Sequence, residues 1–316
     1  MRTTVVTLTF RRPLDLSEAL PRLVEHICAV PDAELVVVDN DTLPSARGTV
    51  EPWTVGHPVR YVHEPAPGIA AARNRGLAEA RDSDVVVFID DDERPRDGWL
   101  QALLDTHEHE RCAGVAGAVV SIFEAAPDEW IRAGRFFDRL RHPTGTELDV
   151  VATNNLLLDA ALIRSWGLRF DDEFGLTGGS DTVFALEVRR RGGRLVWCDE
   201  AVVEDVVPAT RATRSWVLRR AFRMGNTGSR ARIHVAQGRS GRVLSRFVLA
   251  ARGLVRLGGG AATVVLGVVS GSLAHRARGA RTFARGAGMT LGAFGYAYSE
   301  YARPVPAATT PVTARG

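Results

Sequence analysis

Cysteine is scarce in this chain of 316 residues: Cys28, Cys112 and Cys198 are far apart and no two form a C-x-x-C pair. An odd, scattered set excludes a disulfide framework and offers no zinc-ligand spacing, so a reducing cytoplasm is the expected setting. Met1 to Phe10 lacks the long apolar run and small-residue cleavage site of a leader, and its threonine-interrupted pattern reads as a first strand. Acidic residues almost disappear after Asp205, where Glu300 is the only one, while Arg211, Arg214, Arg219, Arg220, Arg223, Arg230, Arg232, Arg239, Arg242 and Arg246 follow closely. The formal charge of +3, from 40 basic and 37 acidic residues, therefore conceals a cationic last third suited to an anionic partner or surface. Internal repeats and long low-complexity linkers are also lacking, and Pro304 to Gly316 reads as a frayed, disordered tail.

What is present is enough apolar material, 45% of the residues, for a substantial core. Val5 to Phe10 reads as a strand, and Leu16, Ala19, Leu20, Leu23 and Ile27 recur at helical spacing, with Pro21 expected in the first turn or at a kink. Leu35 to Val38 is a continuous apolar run closed by Asp39-Asn40-Asp41, as suits the middle of a parallel sheet. Val59 to His63 gives a third strand, Gly68 to Arg81 a helix, and Asp84 to Ile89 a fourth strand running into Asp90-Asp91-Asp92-Glu93. Further strands are read at 115–123, 150–158 and 194–197, a partly helical excursion at 125–142, and a helix opened by Asp181 after a glycine-rich loop. This alternation implies a doubly wound α/β domain, whose ligands bind beyond the carboxyl ends of the strands, where Asp39 and the triple aspartate both fall. The stretch 257–274 has no charged residue; its length is near the minimum for crossing a bilayer, while its glycines, serines and flanking arginines favour a packed or interfacial helix on an anionic membrane surface.

Three clustered carboxylates cost stability unless a cation or hydrogen bonds compensate, and hard divalent ions bridge such groups to substrate phosphates. Asp90, Asp91 and Asp92 are thus a metal and phosphate candidate, against the plainer reading of a solvated turn paired with Arg94 and Arg96. Asp39 could accept hydrogen bonds from a base or ribose, or could merely close a turn. Arg73, in an alanine-rich helix, could meet a phosphate or base. Asp181 at a helix start could be a general base or an ordinary N-cap. Trp130, Trp166 and Trp197 could stack on a sugar or base, although core packing is the commoner use, and His63, His107 and His109 show no metal-ligand pattern and read as solvated.

Val5 to Pro13, Val37-Val38-Asp39-Asn40, Gly68 to Asn74, Phe88 to Glu93 and Gly178-Gly179-Ser180-Asp181, in this order and spacing, resemble family 2 glycosyltransferases. The resemblance covers roughly residues 3–230. The Trp130 region, Thr153 to Leu157, Phe174 to Gly179, Pro208, Arg211 and Arg219-Arg220 look like the bacterial exopolysaccharide, succinoglycan-type glucosyltransferase branch. It implies a GT-A fold, a Rossmann-like, mostly parallel sheet flanked by helices, over 3–230. A basic, membrane-associated helical region over 231–303 and the tail 304–316 complete the expected organisation. It also implies a nucleoside diphosphate sugar donor bound near Thr9, Asp39, Arg73, Asp90 and Asp91, a divalent Mg²⁺ or Mn²⁺ on Asp92, and Asp181 as catalytic base. The implied reaction is inverting transfer to a glycan, lipid-linked or small-molecule hydroxyl, with no nucleic-acid partner. Ser180 departs from the Glu of many relatives, and Glu204-Asp205 stands where some place a metal-binding histidine. A nucleotidyl-transfer enzyme and a non-catalytic nucleotide-sugar scaffold are the rival readings.

Overall fold

Continuous apolar segments set the middle of the molecule. The computed structural model describes residues 1–299, so the expected tail at 304–316 lies outside the described residues. In chain order the elements are β1 (Thr3–Thr9), α1 (Pro13–Cys28), β2 (Ala33–Asp39), α2 (Arg47–Val50), β3 (Val59–His63), α3 (Ile69–Glu79), β4 (Val85–Asp90) and β5 (Glu93–Pro95). These are followed by α4 (Trp99–Glu110), β6 (Gly114–Phe123), α5 (Glu129–Gly134), β7 (Asn155–Asp159), α6 (Ala160–Ser165), α7 (Ser180–Arg190) and β8 (Leu195–Val207). Three long helices, α8 (Arg214–Val235), α9 (Gly238–Val269) and α10 (Leu273–Ala293), complete the fold.

The strands form one eight-stranded sheet in the order β3-β2-β1-β4-β7-β6-β8-β5. β3, β2, β1 and β4 run parallel, whereas β7 and β5 run antiparallel to their neighbours. Both faces are covered, which is why these strands read as unbroken apolar runs. Val5, Leu35, Val37, Val85 and Val87 pack against Leu16, Leu20 and Leu23 of α1 and Trp99, Leu100 and Leu103 of α4. Val6, Val36, Val38, Val86 and Phe88 pack against Ala70 and Ala72 of α3, Ile163 of α6 and Phe184, Ala185 and Val188 of α7.

Several sequence expectations shift. Pro13, not Pro21, occupies the first turn of α1, and Pro21 lies mid-helix on the exposed side. β8 extends to Val207, well past Trp197, because three extra residues bulge out where its pairing with β6 jumps from Cys198 to Val202. The buried amide of Asn155 closes that irregularity. It donates to the carbonyls of Ala118 (3.0 Å) and Ala201 (2.9 Å) and accepts from Trp99 Nε1 (2.8 Å). The charge-free stretch 257–274 is not one helix: α9 ends at Val269, the chain turns through Gly271 (φ 67°), and Ser272 caps α10. Inside α9 the uncharged part, 257–269, rises only about 20 Å, short of a hydrocarbon core of about 30 Å. As a whole, α9 is still the one helix among the described residues long and apolar enough to cross a membrane.

α8, α9 and α10 approach closely through glycine. A Cβ on Gly288 would strike the Phe222 carbonyl oxygen of α8, and one on Gly225 the Arg285 carbonyl oxygen of α10. Gly253, Gly260 and Gly267 of α9 meet the backbone of α10 in the same way.

Candidate active site

The parallel strands end level with one another: Thr9 is in register with Asp39, and Leu8 with Asp90. A cleft of about 730 Å³ opens beyond these ends, a volume suited to a nucleotide-sized ligand. Thr9, Arg73, Asp90, Asp91, Asp92 and Asp181 all line it. Asp39 does not. Its carboxylate is fully buried beneath the cleft, accepting from Ala46 N (2.7 Å), Tyr61 Oη (2.8 Å) and Ser45 Oγ (3.4 Å).

The floor is acidic. Burial, reinforced by Asp92, raises the Asp90 carboxyl to about 7, and burial raises Asp91 to about 6. Glu93 is pushed well above the carboxylate range, first by burial and then by Asp90 and Asp205, even though Asn154 Nδ2 donates to it (2.7 Å). No hydrogen bond holds the Asp90 carboxylate among the described residues, whereas Asp92 Oδ2 accepts from both Arg12 (2.9 Å) and Arg211 (2.9 Å). Arg12 reaches it because Arg11 takes a left-handed φ of 55° directly after β1, a conformation anchored by its ion pair with Asp41 (2.8 Å).

Desolvated carboxylates raised toward neutrality, one of them without a partner, are a donor set that fits a hard divalent cation. The cleft acids do not converge three oxygens on one point. Such an ion would be held by one or two carboxylates and by substrate phosphates. Among the described residues the one trio that does converge is Asp171, Glu173 and His234, outside the cleft lining, where His234 Nε2 lies 2.8 Å from Asp171 and ties the preceding turn to α8.

Asp181 is the second residue of α7, after the cap Gly179 (φ 99°), so it is not the N-cap. Its Oδ1 accepts from Thr182 N (2.7 Å), and Oδ2 has no hydrogen bond among the described residues. Arg73 reaches across to Ser180 Oγ (2.7 Å) and lies over the Phe170 ring, its buried Nε without a partner among the described residues. Glu204 and Asp205 part company on β8: Glu204 turns out to Arg96, and Asp205 turns into the cleft and pairs with Arg139. Trp130, Trp166 and Trp197 do not line the cleft; Trp216 of α8 does, and no sequence pattern singled it out. His63 and His107 are half-buried rather than solvated, His63 Nε2 bonding the Asp41 carbonyl oxygen at 2.8 Å.

With this geometry in place, the chain matches the model of Glycosyl transferase family 2 over residues 4–166. It is 35% identical over 235 residues to the succinoglycan biosynthesis protein ExoM of Rhizobium meliloti (strain 1021), covering 73% of this chain and 75% of that protein. The chain belongs to glycosyl transferase family 2. A further member-like relative, the pre-mycofactocin glycosyltransferase of Mycobacterium tuberculosis (strain ATCC 25618 / H37Rv), is 29% identical over 268 residues, 80% of this chain and 52% of that protein. Solved structures share the GT-A fold at low identity. S. aureus TarS 1-349 in complex with UDP aligns at a TM-score of 0.52 and 15% identity, over 88% of this chain and 89% of that one. GalNAc-T7 with UDP, GalNAc and Mn²⁺ aligns at 0.53 and 12%, over 72% and 51%. The protein is a glycosyltransferase of this family, and the expected fold class, a GT-A sheet with C-terminal helices, holds.

Proposed function

We propose that this glycosyltransferase inverts configuration as it moves a sugar from a nucleoside diphosphate sugar to an acceptor hydroxyl of a glycan, a lipid-linked intermediate or a small molecule. The observation that carries this reading is that Asp181, at the positive end of α7 and with one oxygen unbonded among the described residues, shares a single cleft with the acids that end β4. The family membership supports it, as do the UDP and UDP-GlcNAc complexes formed by TarS 1-349.

In the proposed step Asp181 Oδ2 takes the proton of the acceptor hydroxyl. The resulting oxygen attacks the anomeric carbon from the face opposite the diphosphate, and the bond from that carbon to the diphosphate oxygen breaks. Thr9, Arg73, Asp90 and Asp91 surround the donor. Asp39 is fully buried, so it contacts the nucleoside only where the side chains that cover it move aside. Asp92, with Asp90 beside it, would hold Mg²⁺ or Mn²⁺, which when bound neutralises charge developing on the departing diphosphate. A panel of nucleotide sugars with either ion tests the reading. Metal-dependent turnover that is lost in Asp181→Asn, with an inverted anomeric centre by NMR, is expected; retention of configuration, or full activity in that variant, overturns the assignment.

We further assign residues 3–230 to the catalytic domain and 231–303 to a region lying on an anionic membrane surface at the inner face of the cell membrane. The support is the outward side of α9, where Leu244, Phe247, Leu254, Val255, Val265 and Val269 are exposed at helical spacing, opposite the glycines that meet α10. Arg239, Arg242, Arg246, Arg252 and Arg256 lie along the same helix, and no acid occurs between Asp205 and Glu300. Mutual repulsion of such cationic faces disfavours a second copy as the cover.

A further inference from the structure

Three cleft arginines meet carboxylates: Arg12 and Arg211 pair with Asp92, and Arg139 with Asp205. Arg219 and Arg220, on the α8 side, have no carboxylate or hydrogen-bond partner among the described residues, although both line the cleft. Phe137 and Trp216 stack nearly parallel, 5° apart with centroids 6.0 Å apart. The Arg220 guanidinium carbon lies 5.4 Å from the Trp216 ring centre and 5.9 Å from that of Phe137. Burial, reinforced by Arg139, Arg223 and Arg211 and only partly opposed by Asp205, pulls the Arg220 guanidinium down to about 10. Aromatic faces recover only part of the cost of desolvating a guanidinium; an anionic ligand recovers the rest and matches its planar array of donors.

We propose that Arg220, over the Phe137–Trp216 shelf, and its neighbour Arg219 form an anion subsite separate from the acidic floor, which receives a phosphate or diphosphate group carried by the acceptor. This rests on reading the cleft as the transfer site: the floor acids and their cation take the donor diphosphate, so a second phosphate-binding wall serves the other substrate. It narrows the acceptor to phosphate-bearing molecules and gives the arginines of α8 a positioning role, holding the acceptor so that its hydroxyl reaches Asp181. Trp216 and both arginines lie on α8, the helix that packs against the apolar α9–α10 hairpin, an arrangement suited to an acceptor that is anionic near its sugar and apolar beyond.

Calorimetry of the full chain with inorganic pyrophosphate in EDTA, where no cation can hold an anion on the floor, tests this directly. Wild type is expected to bind, with about tenfold loss in Arg219→Gln/Arg220→Gln and a smaller loss in Arg219→Gln alone. The single variant alters an exposed side chain, so its loss cannot reflect unfolding. Failure of wild type to bind, or binding unchanged in both variants, overturns the proposal. Equal binding of glucuronate would replace the phosphate by a sugar carboxylate and overturn it as well. Competition by UDP, GDP or dTDP with Mn²⁺ separates the two possible sources of the phosphate. Displacement of pyrophosphate by whichever nucleotide binds would give the arginines to the donor and overturn the acceptor assignment; simultaneous binding supports it. If none of these nucleotides binds, the donor reading fails while the arginine dependence of pyrophosphate binding still decides the subsite.

Discussion

Asp181→Asn preserves the first turn of α7 and removes only the proton acceptor, so turnover should fall by about 10²–10⁴-fold in a transfer assay while donor affinity by calorimetry stays near wild type. Asp92→Asn acts differently. Both Arg12 and Arg211 lean on its Oδ2, so this variant is expected to lose the Mn²⁺-induced rise in Tm and to melt lower even without metal. The aspartates were legible in the sequence because they end apolar strands, where the chain must emerge at the cleft. Their partners were not: Arg211 lies 119 residues from Asp92, and nothing local distinguishes it from the other arginines of the last third. Asp39 was half legible. Its place at a strand end was clear, but the sequence could not show that Tyr61, Ser45 and Ala46 already satisfy it.

Elements, rather than side chains, explain what the expected strands missed. β8 was expected to stop at Trp197 because Asp199-Glu200 interrupts the apolar pattern; the bulge there turns both acids outward and lets the strand resume. β5, three residues long, carries no periodicity to read. On α1, His26 is buried edge-on against Trp99 at 5.9 Å, and burial lowers its pKa below the ordinary 6.5. The folded state therefore favours the neutral ring, so this contribution is fully present above pH 6.5 and is lost as pH falls through the depressed folded value. His26→Phe should flatten the acid side of the Tm profile below pH 6.5. The glycine contacts of α8 and α10 give a second element-scale expectation. Gly288→Ala forces a methyl onto the Phe222 carbonyl, at a cost of about 1–3 kcal/mol. Thermal melting should show a fall of about 2–4 °C in Tm for each kcal/mol.

For the whole molecule, the uneven charge matters more than its total. All 40 basic residues are arginine, so the cationic last third keeps its charge at any physiological pH. Flotation with vesicles of phosphatidylcholine containing anionic lipid should carry the protein up, neutral vesicles should carry much less, and Phe247→Glu/Val255→Glu should cut the bound fraction several-fold with the circular dichroism unchanged. The alternating strands and helices of 3–230 made the fold class readable from sequence. The hairpin was not readable, because a charge-free stretch of eighteen residues resembles one long helix until its turn at Gly271 is seen. The glycine seam also fixes how this region tolerates length change. Each residue inserted into α9 turns everything beyond it by about 100°. A single insertion after Gly260 would therefore swing Gly267 out of the seam and drive neighbouring branched side chains against α10, whereas an insertion of seven would bring the glycines back into phase. Natural variation in α9 length should thus come in multiples of about seven residues, and the helix behaves as a ratchet rather than a tether.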